Sequence, residues 1–223
     1  MKIKTIASSS SGCCYVIESN GEKLLIECGV SLKKIREALD FDFSNVVGCL
    51  ISHEHKDHCK AFSEISIKTT IPIYGCSWLT QGRCEKVEHN IVFHCGFEFK
   101  IKPIKLTHDV ECFGYIIKID NEILLYATDT SEVPYQIKGL THLMIEANHS
   151  IELLLESDAP KSVIARSADN HFSINQAVEL AGRHRDTLKE VHLLHLSDKH
   201  SDEEKFKQIM SEALDIPVYI ARK

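Results

Sequence analysis

An α+β chain with two packed sheets, helices outside them and a site along one edge is what this sequence predicts. Three observations carry the expectation. Pairs of apolar, strand-like segments alternate with amphipathic helical stretches along the chain. Two tight-turn signals, Asn20-Gly21 and Asp120-Asn121, join such pairs as hairpins. Several buried-type strands run out directly into histidine or aspartate, at His53, His108, Asp129 and His195.

Composition bounds the function. The 223 residues, 43% hydrophobic and 26% charged, suit one well-buried domain spanning 1–223, and no repeat, low-complexity tract or Pro/Gly/Ser linker divides them. No apolar run approaches the ~20 residues of a membrane span. Met1-Lys2-Ile3-Lys4-Thr5 reads as the start of a strand and lacks the apolar core of a signal peptide. Nine cysteines, an odd number without CxxC pairs, fit a reducing cytoplasm better than a disulfide framework. A net charge of -6 argues against a nucleic-acid coat, yet not against a nuclease, because bound divalent ions bring positive charge to the phosphate.

The elements follow in order. Cys14–Glu18 and Lys23–Glu27 flank the first hairpin turn, and Ser8-Ser9-Ser10-Ser11-Gly12 is a polar loop, either a plain turn or the mouth of a site. Ser31 caps a helix over Leu32–Leu39, whose Lys33, Lys34 and Arg36 form a solvated face. Asn45–Ile51 is a buried strand. Residues 60–100 hold a short helix, the strand Ile71–Tyr74 and a second helix near Cys76–Cys84, with His89 and His94 outside any ligand-like context. Phe97–Ile101 alternates as a half-buried strand and continues to Thr107-His108-Asp109. Tyr115–Ile119 and Glu122–Tyr126 make the second hairpin, which runs into Ala127-Thr128-Asp129-Thr130. His142–Glu146 is a core strand before a helix over Ile151–Glu156, and Val163–Arg166 has no clear type. Ser173 and Gln176 form a capping box opening the helix Ile174–Arg185. Val191–Ser197 is the last buried strand with a candidate ligand, Ser201 and Glu204 cap a final helix, and Pro217–Ile220 is an edge strand.

The chemistry is concentrated after the strand at 45–51, in Ser52-His53-Glu54-His55-Lys56-Asp57-His58-Cys59. Side chains two apart on extended backbone point the same way, so His53 and His55 can share one ion. Asp57 and His58 follow where the chain leaves the strand and can face a second ion. Imidazole with carboxylate suits zinc, and also manganese or iron. His108, delivered by another strand end, is by itself weak evidence for a ligand. Asp129, after a buried strand, is by itself either a helix cap or a ligand.

This H-x-H-x-D-H motif is the signature of the metallo-β-lactamase superfamily, which the chain resembles, and the resemblance implies a four-layer αβ/βα sandwich. It further implies that His53, His55 and His108 hold one ion, that Asp57, His58 and His195 hold the other, and that Asp129 bridges them. A narrower likeness is to the bacterial WalJ/YycJ group and its short phage relatives, carried by Ser10–Glu18, Glu146-Ala147-Asn148-His149, His171-Phe172-Ser173 and His195-Leu196-Ser197. That group is DNA-processing, with 5′ exonuclease activity proposed for its bacterial members, which places the chain in a bacterial or phage-infected cytoplasm. Two departures stand out: Cys13 where the group has Asn, and Glu27-Cys28-Gly29 where it has Asp-Ala-Gly.

The function implied is a binuclear metal-dependent hydrolase. Two ions about 3.5–4 Å apart hold a hydroxide at neutral pH and polarise the oxygen under attack. The metal-bound hydroxide is then the nucleophile of a phosphodiesterase, exonuclease-like on DNA. Asp129 argues against antibiotic hydrolysis, since true β-lactamases of this fold typically place Cys there. Asp57 is counted with the catalytic residues, and the leaving oxygen needs a proton from His171, His149 or His192. Of these, His171 precedes a helix N-terminus, a place suited to phosphate, whereas His192 reads as packed in the sheet. Lys102 and Lys105 could steer phosphate, although strand lysines commonly only solvate. Residues 130–194 are needed for the core, which leaves no room for the insertion of β-CASP nucleases, and the motif and arm of transfer-RNA 3′-end ribonucleases are absent. The competing function is a small-molecule hydrolase acting on a cyclic nucleotide, lactone or thioester; a non-catalytic metal-binding protein would require a lost ligand, and none is lost. Partners are thus DNA or a small phosphodiester, with no membrane.

Overall fold

The computed structural model describes residues 1–77 and 83–221. Thirteen strands and seven helices are placed among them. The N-terminal half carries β1 (Lys2–Ala7), β2 (Cys14–Ser19), β3 (Glu22–Ile26), α1 (Leu32–Ala38), β4 (Val46–Leu50), α2 (Lys56–Cys59), α3 (Phe62–Lys68), β5 (Ile73–Gly75) and β6 (Cys84–Lys86). Its strands form one mixed sheet in the order β1-β2-β3-β4-β5-β6. Next come β7 (Phe93–Cys95), β8 (Phe99–Leu106), β9 (Cys112–Ile119), β10 (Glu122–Ala127), β11 (His142–Glu146), α4 (Ile151–Leu155), α5 (Lys161–Asn170), α6 (Ile174–Gly182), β12 (Glu190–Leu194), α7 (Glu203–Leu214) and β13 (Val218–Ile220). They build a seven-stranded sheet in the order β13-β12-β11-β10-β9-β8-β7.

The inner faces of the two sheets meet over Tyr15, Leu24, Phe99, Tyr115 and Tyr126, all fully buried. α1 and α3 cover the outer face of the first sheet through Leu32, Ile35, Phe62 and Ile65. α6 and α7 cover part of the second through Ile174, Leu180, Phe206 and Met210. Two apolar faces per sheet demand this layering, since each must be removed from water. The fold is the metallo-β-lactamase sandwich expected from the motif. No helix among the described residues is long and apolar enough to cross a membrane.

Local sequence accounts for most boundaries. Asn20 and Gly21 take φ of 45° and 87°, the left-handed values that a two-residue hairpin turn needs. Ser31 accepts from the Lys34 N–H, and Ser173 and Gln176 make the full reciprocal capping box. Two expectations are corrected, one open stretch gains a type and one falls largely outside the described residues. The last helix is capped by Asp202, which accepts from Lys205 N, while the Ser201 hydroxyl is drawn back to the Ser197 carbonyl. The 163–166 stretch is the middle of α5. The helix opened by Ser173 ends at Gly182 rather than Arg185. The helix expected near Cys76–Cys84 falls largely on residues 78–82, outside the described residues, and Cys84 itself begins a strand.

Gly29 shows how the first sheet reaches the metal-type motif. Its backbone lies against the Asp57 carbonyl so closely that a Cβ would overlap the Asp57 main chain. Around it the Cys13 N–H donates to Asp57 O (2.7 Å), Cys28 N–H to His58 O (2.8 Å) and Gly29 N–H to Cys13 O (2.8 Å). Backbone thus holds α2 from below. Gly29→Ala is expected to destabilise the fold by about 3 kcal/mol, the upper range for forced overpacking, read as a lowered denaturant midpoint with unchanged slope.

Candidate metal centre

The centre is built at the carboxyl ends of strands, with Glu27 after β3, His53 after β4, His108 after β8, Asp129 after β10, His195 after β12 and Glu146 closing β11, while His55 caps α2, Asp57 and His58 lie on it, and His171 follows α5. Parallel pairing of β3 with β4, and of β10, β11 and β12, brings these ends to one edge. Glu27, Asp129 and His195 turn there with φ of 63°, 47° and 50°. Left-handed backbone at a non-glycine costs of order 1–3 kcal/mol and is retained where the surroundings enforce it, commonly at functional sites.

Two groups of donors face each other. His53, His55 and His108 bring one nitrogen each within 4.8 Å of the others, with His53 Nε2 3.0 Å from His55 Nδ1 and His108 Nε2 3.4 Å from the same atom. Asp57, His58, Asp129 and His195 form the second group on the same criterion. There Asp129 Oδ2 lies 2.7 Å from His58 Nε2, and Asp57 Oδ2 lies 3.5 Å from the Nε2 of both His58 and His195. Asp129 Oδ2 is also 3.4 Å from His53 Nε2, so the same carboxylate oxygen reaches both groups.

The residues present fit divalent ions. His58 Nε2, His195 Nε2 and Asp129 Oδ1 are buried with no hydrogen-bond partner of proper geometry, although they lie among other donors. Buried polar atoms left in that condition cost free energy unless a further group satisfies them. Burial opposes charge on His58 and His195, but Asp129 outweighs it and pushes both imidazole pKa values well above normal. Burial and the neighbouring His58 instead take His53 down to about 2. A shared cation neutralises Asp129 without any proton on those rings.

Behind the donors stand two buried glutamates. Glu146 accepts from His171 Nδ1 (2.7 Å), His195 Nδ1 (2.9 Å) and the Phe172 N–H (3.1 Å). Glu27 accepts from the Ser52 N–H and the Tyr126 hydroxyl (3.0 Å) and lies 3.5 Å from His58 Nδ1. Ser52 Oγ sits 2.9 Å from His53 Nδ1. His53 and His195 are thereby turned so that Nε2 faces the centre, the usual role of groups behind metal-ligating histidines.

The centre opens into a cleft of about 390 Å³ lined by Ser10, Lys56, Asp57, Arg166, Asn170 and His171 among others. Ser10 places the serine-rich loop at the mouth. His171 enters the cleft with its side chain 23% exposed; burial disfavours its charge, but Glu146 and Asp129 raise its pKa to about 10. His149 is not brought in. It is buried at the bridge to Ser173, with its carbonyl accepting from Ile174 N–H, and does not line the cleft. His192 stacks on Tyr219 in the sheet. Asp109, 3.1 Å from His108 Nε2 and 3.7 Å from the Arg166 guanidinium, had no sequence signal beyond its neighbour. Arg166 had none at all, since its helix was not legible.

The fold and this donor set define a metallo-β-lactamase-fold protein of the metallo-hydrolase class. It is related to the YycJ and WalJ exodeoxyribonucleases. YycJ of Bacillus anthracis is 28% identical over 96% of this chain and 89% of its own length, and WalJ of Streptococcus pneumoniae serotype 2 is 26% identical over 91% and 84%. The family model of the anti-Pycsar protein Apyc1 matches residues 7–72. Among solved structures, the metallo-β-lactamase fold protein YhfI of Bacillus subtilis superposes with a TM-score of 0.75 at 20% identity, covering 99% of this chain and 96% of its own. Zn²⁺-bound PqqB of Methylobacterium extorquens gives 0.74 at 10% identity, covering 100% and 98%.

Proposed function

We propose that the chain is a binuclear metal-dependent phosphodiesterase that removes nucleotides from DNA ends. The observation that carries this is the meeting of two His/Asp donor groups on one shared carboxylate, at the floor of a cleft that also presents Lys56 and Arg166. His53, His55 and His108 would hold one zinc or manganese ion and Asp57, His58 and His195 the other, with Asp129 common to both. When bound, such a pair supplies Lewis acidity and a nucleophile at neutral pH.

The chain's own residues do the rest. Arg166, with a side chain 73% exposed and, among the described residues, a single 3.7 Å ion-pair contact to Asp109, can turn onto a phosphate. Glu146 fixes His171 by Nδ1, which leaves Nε2 to hand a proton to the leaving oxygen. Full-length likeness to exodeoxyribonucleases supports DNA as the substrate. A second reading, a cyclic nucleotide, is favoured by the match of residues 7–72 to the anti-Pycsar model and by a cleft volume within the ~300–1,000 Å³ of small-molecule sites.

The test is manganese- or zinc-dependent cleavage of end-labelled DNA beside hydrolysis of cyclic nucleotides. Stepwise shortening of DNA supports the proposal; intact DNA with hydrolysed cyclic nucleotide replaces it with the second reading. In the same assay Arg166→Ala is expected to raise KM about tenfold, near 1.4 kcal/mol, with a smaller change in kcat.

A further inference from the structure

Away from the metal centre, β8 and β9 carry a second concave surface. A groove of about 320 Å³ lies there, floored by Val92, Ile104, Ile116, Ile123 and Ile137 and edged by Lys100, Lys102, Lys118 and Lys138. Among the described residues, none of the four lysine ammonium groups has a hydrogen-bond or ion-pair partner. Lys100 stands directly opposite Lys118 in the β8–β9 register, and His94 of β7 lies on the other side of Lys100. Like charges directly opposite across strands destabilise a sheet. Edge guarding does not explain Lys100 and Lys118, because β7 pairs outside Lys100 and β9 is the third strand from that edge. In a chain of net charge -6, an unpaired cationic row over an apolar floor is complementary to an anion with an apolar body.

The remaining lining narrows the ligand. The half-buried Tyr135 ring and the Asn90 and Gln136 amides share the groove with the lysines. A ring for stacking, amides for base edges and ammonium groups for phosphates are the elements of single-strand nucleic-acid contact. The groove also shares its two segments with the metal centre. β8 carries Lys100 and Lys102 and ends at Leu106, two residues before His108, so the chain from 102 to 108 spans at most about 20 Å at ~3.3 Å per residue. The stretch after Asp129 leads to Tyr135, whose hydroxyl donates to the Lys105 carbonyl.

We infer that this groove is a second binding site for the DNA strand, holding nucleotides distant from the end that lies in the cleft. It rests on the DNA reading for the identity of the strand, and its test is separable from that reading. Binding of a fluorescein-labelled single-stranded oligonucleotide of about twelve residues is measured by anisotropy in the presence of chelator, where no cleavage can occur. Lys100→Glu/Lys102→Glu is expected to weaken binding at least tenfold and to flatten the log affinity–log salt slope by about 1.4, or ~0.7 per lost phosphate contact. Tyr135→Ala is expected to weaken it about tenfold. Hydrolysis of bis(p-nitrophenyl) phosphate by the metal-loaded double variant should stay at the wild-type rate, which also shows that it folds. Unchanged affinity and slope overturn the proposal, as does an equal loss from reversing Lys33 and Lys34 on α1. If the wild-type chain cuts no DNA, the DNA reading fails while the anisotropy arms still report on the groove.

Discussion

Asp129→Asn is expected to lower metal-dependent hydrolysis by at least about 10³-fold, equivalent to roughly 4 kcal/mol of transition-state stabilisation. The substitution is nearly isosteric, and asparagine tolerates the left-handed backbone that Asp129 adopts at φ 47°. Fold loss is therefore not the expected route. What disappears is the negative charge whose Oδ2 lies 2.7 Å from His58 and 3.4 Å from His53, the atom that reaches both donor groups. Steady-state kinetics with bis(p-nitrophenyl) phosphate, with metal content measured on the same samples, check this. Activity within tenfold of wild type at full metal occupancy would remove Asp129 from the shared position.

Glu146→Gln should cost about 10–100-fold in activity and in affinity for metal, the range seen when a group orienting metal-ligating histidines is lost. His171 and His195 both reach Oε1 of Glu146 while the Phe172 and Thr130 N–H groups donate to Oε2, so a neutral amide, with one acceptor oxygen, must turn its NH2 toward one of these donor sets. The loss should be unequal. His195 belongs to the donor group of Asp57 and His58, whereas His53, His55 and His108 have no contact with Glu146 among those described. Competition with a chelator should show one metal equivalent weakened well beyond the other. Equal weakening of both would mean that Glu146 acts on the whole fold and not on the His195 side. A drop of about 2–3 kcal/mol in unfolding free energy should accompany it, since charge-assisted buried hydrogen bonds are lost.

Much of the centre was legible because its signals are local. H-x-H-x-D-H compresses four donors into α2 and the turn before it, and period-two backbone alone directs His53 and His55 to one side. His108, Asp129 and His195 each follow an apolar run, which made them candidates, while their places in the ligand set came from the resemblance. The Asn20-Gly21 turn and the Ser173–Gln176 box were equally local and appear where expected. α5 was not legible because it buries no residue, so no apolar stripe marks it, and with it went Arg166.

The sequence by itself determined the two-sheet class, the strand ends and the donor types at them, because strand period, turn chemistry and metal-ligand type are properties of a few consecutive residues. Only the tertiary structure decided which groups stand behind the donors and what lies opposite what. Glu146 meets its histidine partners across 25 and 49 residues. Gly29 matters only because Asp57 packs on it, and Lys100 faces Lys118 only through the register of β8 on β9. Those relations depend on how distant segments pair and pack, a long-range outcome that no short window of sequence contains.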